Sequence, residues 1–166
     1  MATAKSKIRR SLLATFLNTG TSDEPVWSLI GDGVTEQTIS YNPQTNDETY
    51  INQDSGTTDV ESYKPTISNP MTAMKGDEVF EYVDALRIKR AVLDESVTEI
   101  LIVYLYKTAA EDAYPAERNR CGIQIDDFGG AGGESAKLNF TVNLQGDAVQ
   151  GSFNPSTKVF TERGGE

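Results

Sequence analysis

Apolar and polar residues alternate along much of this chain, and the alternation predicts strands. Lys137 to Gln145 is the clearest case: Leu138, Phe140, Val142 and Leu144 fall on one side, Asn139, Thr141, Asn143 and Gln145 on the other. Spacing with a period of two marks a strand with one buried and one wet face. Thr98 to Lys107 is different, because Ile100 to Tyr106 is apolar or aromatic on both sides. That pattern suits a strand covered by two layers. Cys121, Ile123 and Ile125 alternate into Asp126-Asp127, and Val149 to Phe153 and Lys158 to Thr161 read as short strands about Asn154-Pro155-Ser156. Gly146-Asp147 reads as a turn, and Thr108 to Arg118 as a polar loop.

From Thr35 to Tyr63 the pattern is a polar meander. A strand over Thr35–Tyr41 is followed by a turn at Asn42, Pro43, Gln44, Thr45 and Asn46. A return strand over Glu48–Gln53, a turn at Asp54-Ser55-Gly56 and a strand over Thr57–Tyr63 complete it. Such a hairpin has little to bury alone, so it either stands in solvent or pairs with other chains. Pro65 and Pro70 bracket an irregular connection.

One helix is predicted over residues 77–91. Asp77 is a good N-cap, Glu78 and Glu81 suit the positive end, and Arg87, Lys89 and Arg90 suit the negative end. Val79, Phe80, Val83 and Leu86 recur at helical spacing. Ile8 to Leu17 is compatible with helix or strand. The sum is about eight strands and one helix. That makes a mainly β, α+β chain in which two packed antiparallel sheets form a sandwich or barrel-like body. One α-helix flanks it, and a long polar hairpin extends from it. A single domain spans 1–166, with an N-terminal arm at 1–20, the meander at 35–63 and the remaining strands over 98–161.

Charge narrows the function. The formal net charge is −10, a surface that repels nucleic acid and anionic membranes. The charge thereby argues against sequence-specific nucleic-acid binding, but not against passage of nucleic acid past the surface. No segment approaches the roughly 20 apolar residues that span a bilayer. The basic residues Lys5, Lys7, Arg9 and Arg10 before Leu12 and Leu13 look like the start of a signal peptide, but the apolar stretch is short and lacks a cleavage pattern. A bacterial cytoplasm is the expected place of synthesis.

Chemistry is sparse. Histidine is absent, which removes the commonest general base and metal ligand. Asp126 and Asp127, as neighbours on a strand, are expected to point to opposite faces and not converge. Asp32, Asp47 and Asp54 lack calcium-loop spacing. Gly129 to Gly133 lacks the Lys-Ser/Thr of a phosphate loop and precedes a strand, so it reads as a hairpin connection. The single cysteine, Cys121, reads as a buried small hydrophobe, and Trp27 as core or subunit interface. The expectation is no catalytic residue, no metal, no cofactor and no enzyme.

The ordered series Trp27-Ser28-Leu29-Ile30-Gly31-Asp32-Gly33-Val34-Thr35, Ile39-Ser40-Tyr41-Asn42-Pro43 and Glu48-Thr49-Tyr50-Ile51 carries a resemblance. It continues through Lys64-Pro65, Lys75 to Leu86, Leu138 to Asn143, Gly146-Asp147 and Gly151-Ser152-Phe153-Asn154. In this order the segments resemble the phage tail tube proteins, or major tail proteins, of long-tailed bacteriophages. The resemblance implies two roughly orthogonal sheets flanked by a helix, and a structural virion protein. Its subunits would form hexameric rings stacked into a tube that conducts phage DNA. It also implies a location in the virion tail, with self, tape measure, tail terminator and distal tail proteins as partners and double-stranded DNA in transit. Lumen-facing polarity is then assigned to Glu36, Glu48, Asp59, Glu61, Asn139, Thr141, Asn143 and Gln145. Ring-to-ring contacts are assigned to Asn42–Asn46 and the N-terminal arm. The competing reading is a surface β-sandwich module that binds carbohydrate. It is disfavoured because Trp27 stands alone and Tyr104 and Tyr106 fall in the most buried strand.

Overall fold

Ten strands and one α-helix make up the described residues, 4–163, of the computed structural model. After a short 3-10 turn at Arg10–Leu12 come β1 (Leu13–Asn18) and β2 (Trp27–Leu29), so the ambiguous segment Ile8 to Leu17 is strand only from Leu13 onward. Then follow β3 (Thr38–Ser40), β4 (Pro43–Glu48), β5 (Thr57–Tyr63) and β6 (Thr66–Thr72). The helix α1 spans Glu78–Lys89, and a 3-10 turn at Leu93–Ser96 leads into β7 (Val97–Tyr104). Two very long strands, β8 (Tyr114–Gly129) and β9 (Lys137–Asn154), precede β10 (Val159–Glu162). The mainly β fold with one flanking helix and a long polar hairpin is as the sequence predicts.

The antiparallel main sheet runs β2-β1-β7-β8-β9-β6-β3, with β10 on the other half of β9. It is not closed. β4 and β5 form a separate two-stranded sheet. The order hides a bend. Arg118 is opposite Val149 but Arg120 is opposite Gln145, so the one residue between them on β8 faces three of β9, with Gly146 at φ +67° in the excess. A bulge of this kind kinks and twists a ladder. Gly146-Asp147 is therefore a bend inside one continuous strand, where the sequence suggested a turn.

Side-chain contacts show how far the sheet folds. β1 and β6 are four strands apart, about 19 Å in a flat sheet. Yet Gln37 reaches both, accepting from Thr15 Oγ1 on β1 at 3.0 Å and donating to Asn69 Oδ1 on β6. On the opposite face the rings of Phe16 (β1) and Phe153 (β9) lie 4.7 Å apart, although three strand spacings separate their backbones. The sheet thus curls one way in one half and the other way in the other, giving two cores. The larger holds Leu17, Ile67, Ile100, Phe140 and Val142 under Val79, Val83 and Leu86 of α1. The smaller holds Phe16, Trp27, Leu101, Val103 and Phe153. This explains why Ile100 to Val103 is apolar on both sides.

Several local readings change. β4 occupies Pro43–Glu48, where a turn was expected; the turn lies at 49–56 instead. The stretch between Pro65 and Pro70 is not irregular but strand β6, with Ile67, Asn69 and Met71 fully buried. Pro70 is tolerated because its nitrogen lies on the same side as that of Thr72, which bonds Gly33 beyond the end of β3. The expected loop over Thr108–Arg118 gives way to β8 from Tyr114 onward. The helix behaves as its ends dictate: Asp77 accepts from the Phe80 amide at 3.0 Å, and Arg90 closes it in the left-handed region.

The linked side chains of Thr15, Gln37 and Asn69 are largely buried, with Asn69 also donating to the Ile67 carbonyl at 3.1 Å. Asn69→Ala should therefore lower stability by about 1–3 kcal/mol, because the Gln37 amide is left without its acceptor. Urea unfolding would show this as a lower midpoint at constant slope, and an unchanged midpoint would refute the role of the network.

Candidate functional site

Two surfaces stand out, a wet sheet face and the free-standing hairpin. The first lies behind the larger core. With Leu138, Phe140 and Val142 turned inward, Asn139, Thr141 and Asn143 must face outward, and they do. Across the ladder their neighbours are Thr66, Ser68 and Pro70 on β6, followed by Thr38 and Ser40 on β3.

On the other side lie Gln124, Asp126 and Asp127 of β8. Asn139 Nδ2 donates to Asp127 at 2.6 Å, Thr141 Oγ1 donates to Asp126 at 2.7 Å, and Asn143 Nδ2 donates to Gln124 at 3.3 Å. Gln124 Nε2 also donates to Asp126 at 2.6 Å. None of these positions carries a cation.

Asp126 and Asp127 overturn their expected divergence. Ile125 is opposite Phe140 and Asp127 is opposite Asn139, so a bulge inserts Asp126 and brings both carboxylates to the wet face. The sequence held a signal for it. Ile123 and Ile125 keep a period of two, but the next apolar residue is Phe128, three positions on, and it pairs with Leu138 and stacks under Arg87 at 4.2 Å. Both acids are exposed. Among the described residues no group of three or more His, Cys, Asp or Glu could hold a metal ion.

The proposed lumen residues do not share one surface. Asn139, Thr141 and Asn143 lie together, and Gln145 continues their side at the bend, opposite Arg120. Glu48 and Asp59 are together elsewhere: Asn46 is opposite Asp59 and Glu48 is opposite Thr57, which puts them on one face of the hairpin. Glu61 sits in the β-bulge between Val60 and Ser62, and Glu36 lines a shallow recess with Arg10, Leu13 and Ile30.

Asn42–Asn46 lie at the base and first half of the hairpin, not its tip. Asn42, at φ +46°, clamps that base by donating to the Lys64 carbonyl at 3.0 Å and to Thr66 Oγ1 at 3.2 Å. Gln44 donates to the Asn42 carbonyl at 2.9 Å. The tip carries Tyr50 and Ile51, both exposed.

Trp27 is buried in the smaller core. Cys121 is fully buried, and burial pushes its thiol up to about 12. The tyrosines correct an expectation. Tyr104 ends β7 half-buried, donating to Glu117 at 2.9 Å, and Tyr106 lies beyond the strand and is exposed. Tyr41 and Tyr63 meet edge-on at 6.3 Å, and Tyr41 has its phenol raised by burial and then by the nearby Glu117 carboxylate. No helix among the described residues is long and apolar enough to cross a membrane.

This architecture has a solved counterpart. A polypeptide from the tail of an empty GTA particle, determined by helical refinement in C6 symmetry, superposes with a TM-score of 0.61. The match covers 86% of this protein and 97% of that one, at 16% sequence identity. The two share a fold. No protein-family model and no curated protein sequence matches.

The exposed wet-face acids hold neighbours that water could equally satisfy. Asp126→Asn with Asp127→Asn should shift unfolding free energy by no more than about 0.5 kcal/mol. A loss of several times that in a chemical melt would make these acids structural. Cys121 should resist an aromatic disulfide reagent at pH values near 8 in the native state and react once unfolded, since the thiolate is the nucleophile; rapid native labelling would contradict its burial.

Proposed function

We propose that this protein is a structural subunit of a virion tail, assembling with itself into six-membered rings that stack into a DNA-conducting tube. The observation that carries the reading is the shared fold with a component of a C6-symmetric particle tail. Two features of the molecule support it. The sheet is open, with β2, β3 and β10 at its margins and the second half of β8 unpaired on one side. Open edges invite pairing with further strands, and a ring of such sheets closes them into a barrel.

The wet face supplies the second. The centre of that face holds amides, hydroxyls and two carboxylates, with the cations Lys137 and Arg120 only at its two ends, so phosphate finds little to grip and DNA would slide over it. In this reading Asn139, Thr141 and Asn143, joined by Asp126 and Asp127, line the channel with Gln145 beside them, while Glu48, Asp59 and Glu61 on the hairpin and Glu36 in its recess belong to other surfaces. Asn42–Asn46 and the N-terminal arm lie between rings. Tape measure, terminator and distal tail proteins would be partners at the ends, and the mature location is the virion.

A second reading has one observation in its favour: the exposed Tyr41, Tyr63 and Tyr106 form the kind of aromatic surface a saccharide stacks on. Negative-stain microscopy of concentrated protein separates the two. Hollow tubes with six-fold end views support the tail subunit, and a strict monomer that binds a glycan array supports the module. For the lumen assignment, Thr141→Lys with Asn143→Lys should leave tubes intact but slow DNA ejection from reconstituted tails. Normal ejection kinetics would place that face outside the channel.

A further inference from the structure

The protein segregates its charge. Residues 1–10 carry four cations and no acid, and from Ser11 to Tyr63 there are nine acids and no Lys or Arg. Five of those acids, Asp47, Glu48, Asp54, Asp59 and Glu61, sit in the β4–β5 hairpin. Among the described residues none of Lys5, Lys7 and Arg9 makes an ion pair or side-chain hydrogen bond, and none of these acids pairs with a cation. Both segments are exposed.

The hairpin also lacks a structural partner. Its two strands bond only to each other, leaving one open edge on each. It exposes Val60 at 54%, along with Tyr50 and Ile51 at its tip. A lone two-stranded sheet is marginal in water, and a third strand is the usual remedy.

The arm fits that place by length, period and charge. Six described residues, 4–9, precede the 3-10 turn, and extended they span about 20 Å, the length of a six-residue strand. Lys5, Lys7 and Arg9 are spaced by two, so a strand conformation puts all three on one face. The hairpin likewise has Glu48 and Asp59 on one face, with Val60 on the other. Ile8, 60% exposed, falls on the arm's opposite face and would meet Val60.

We infer that the N-terminal arm of one copy adds as a third strand along the free edge of β5 in the hairpin of a second copy, with Lys5, Lys7 and Arg9 on the face that carries Asp59 and, one strand further, Glu48. The inference rests on the tail-subunit reading for its setting, and it makes the arm a charge-read connector between subunits. The occupant is a second copy because among the described residues of one copy the arm and the hairpin share no ion pair or side-chain hydrogen bond and both stay exposed, with Arg10 held instead by the Gln37 and Leu13 carbonyls.

The test uses two full-length variants with reversed charges. An arm variant carries Lys5→Glu, Lys7→Glu and Arg9→Glu; a hairpin variant carries Glu48→Lys and Asp59→Lys. Circular dichroism checks that each is folded, which the exposure of every altered residue leads one to expect. Sedimentation velocity should show wild-type self-association at low salt that weakens at least about tenfold near 0.5 M salt, where the screening length falls to a few ångströms. Each folded variant alone should remain monomeric, and an equimolar mixture of the two should associate again, since the reversed arm then finds a reversed hairpin. A wild-type protein that stays monomeric at low salt, variants that associate like wild type, or a mixture that stays monomeric would each overturn the inference. Microscopy of the same samples keeps the parent reading separate: tubes formed by the arm variant would sink the arm contact and leave the tail subunit standing.

Discussion

The pairing of β8 with β9 is the constraint on which the rest of this molecule depends. Strands of 16 and 18 residues are too long to lie in one flat sheet over one core. They bend together at the excess of β9 around Gly146, and the bend divides the sheet into halves that curl in opposite senses. One half packs its inner face against α1, and the other wraps Phe16, Trp27 and Phe153. Everything else attaches to these halves. β1 and β7 build on the first part of β8, β6 and β3 on the first part of β9, and β10 on its end.

The attachments are made by close fit and by polar ties. Gly151 is opposite Glu162, and a Cβ there would fall 2.3 Å from the Thr161 carbonyl oxygen, so β10 can dock only against a residue without a side chain. Arg118 then spans β7 to β10, bonding Glu99 at 3.1 Å and Glu162. On the other side Gln37 ties β1 to β6. The buried polar groups hold the fold of the sheet in one arrangement, because each would be orphaned in any other.

A body organised this way leaves two kinds of surface unfinished. One is the wet face, where Asn139, Thr141 and Asn143 donate laterally to β8 and the cations Lys137 and Arg120 stand only at the ends. The other is the hairpin, clamped at its base by Asn42 but paired with nothing beyond itself. In a free subunit neither adds much stability. In a closed ring both would have a role: the face bounds a channel, and the hairpin receives a strand. The low apolar content of Thr35–Tyr63, poor for a domain core, is what a segment stabilised by a neighbouring copy requires.

Much of this was legible in the amino-acid pattern itself. Alternation from Leu138 to Leu144 fixes which side of β9 is wet, and the double-sided apolar run at Ile100–Val103 announces a strand between two cores. Asp77 and the charged ends of α1 place the helix to within two residues. These are local properties, and local sterics and burial read them directly. The bulges were not legible in the same way. Asp126 and Asp127 converge because Ile125 and Asp127 face consecutive residues of β9, and Gly146 bends a strand because β8 supplies fewer residues there; both depend on a partner strand over ten residues away. Pro43–Glu48 looks like a turn by composition and becomes a strand because Thr57–Tyr63 pairs with it. Sequence determined the strands and their faces. Only tertiary pairing decided their register, and register decides which polar groups meet.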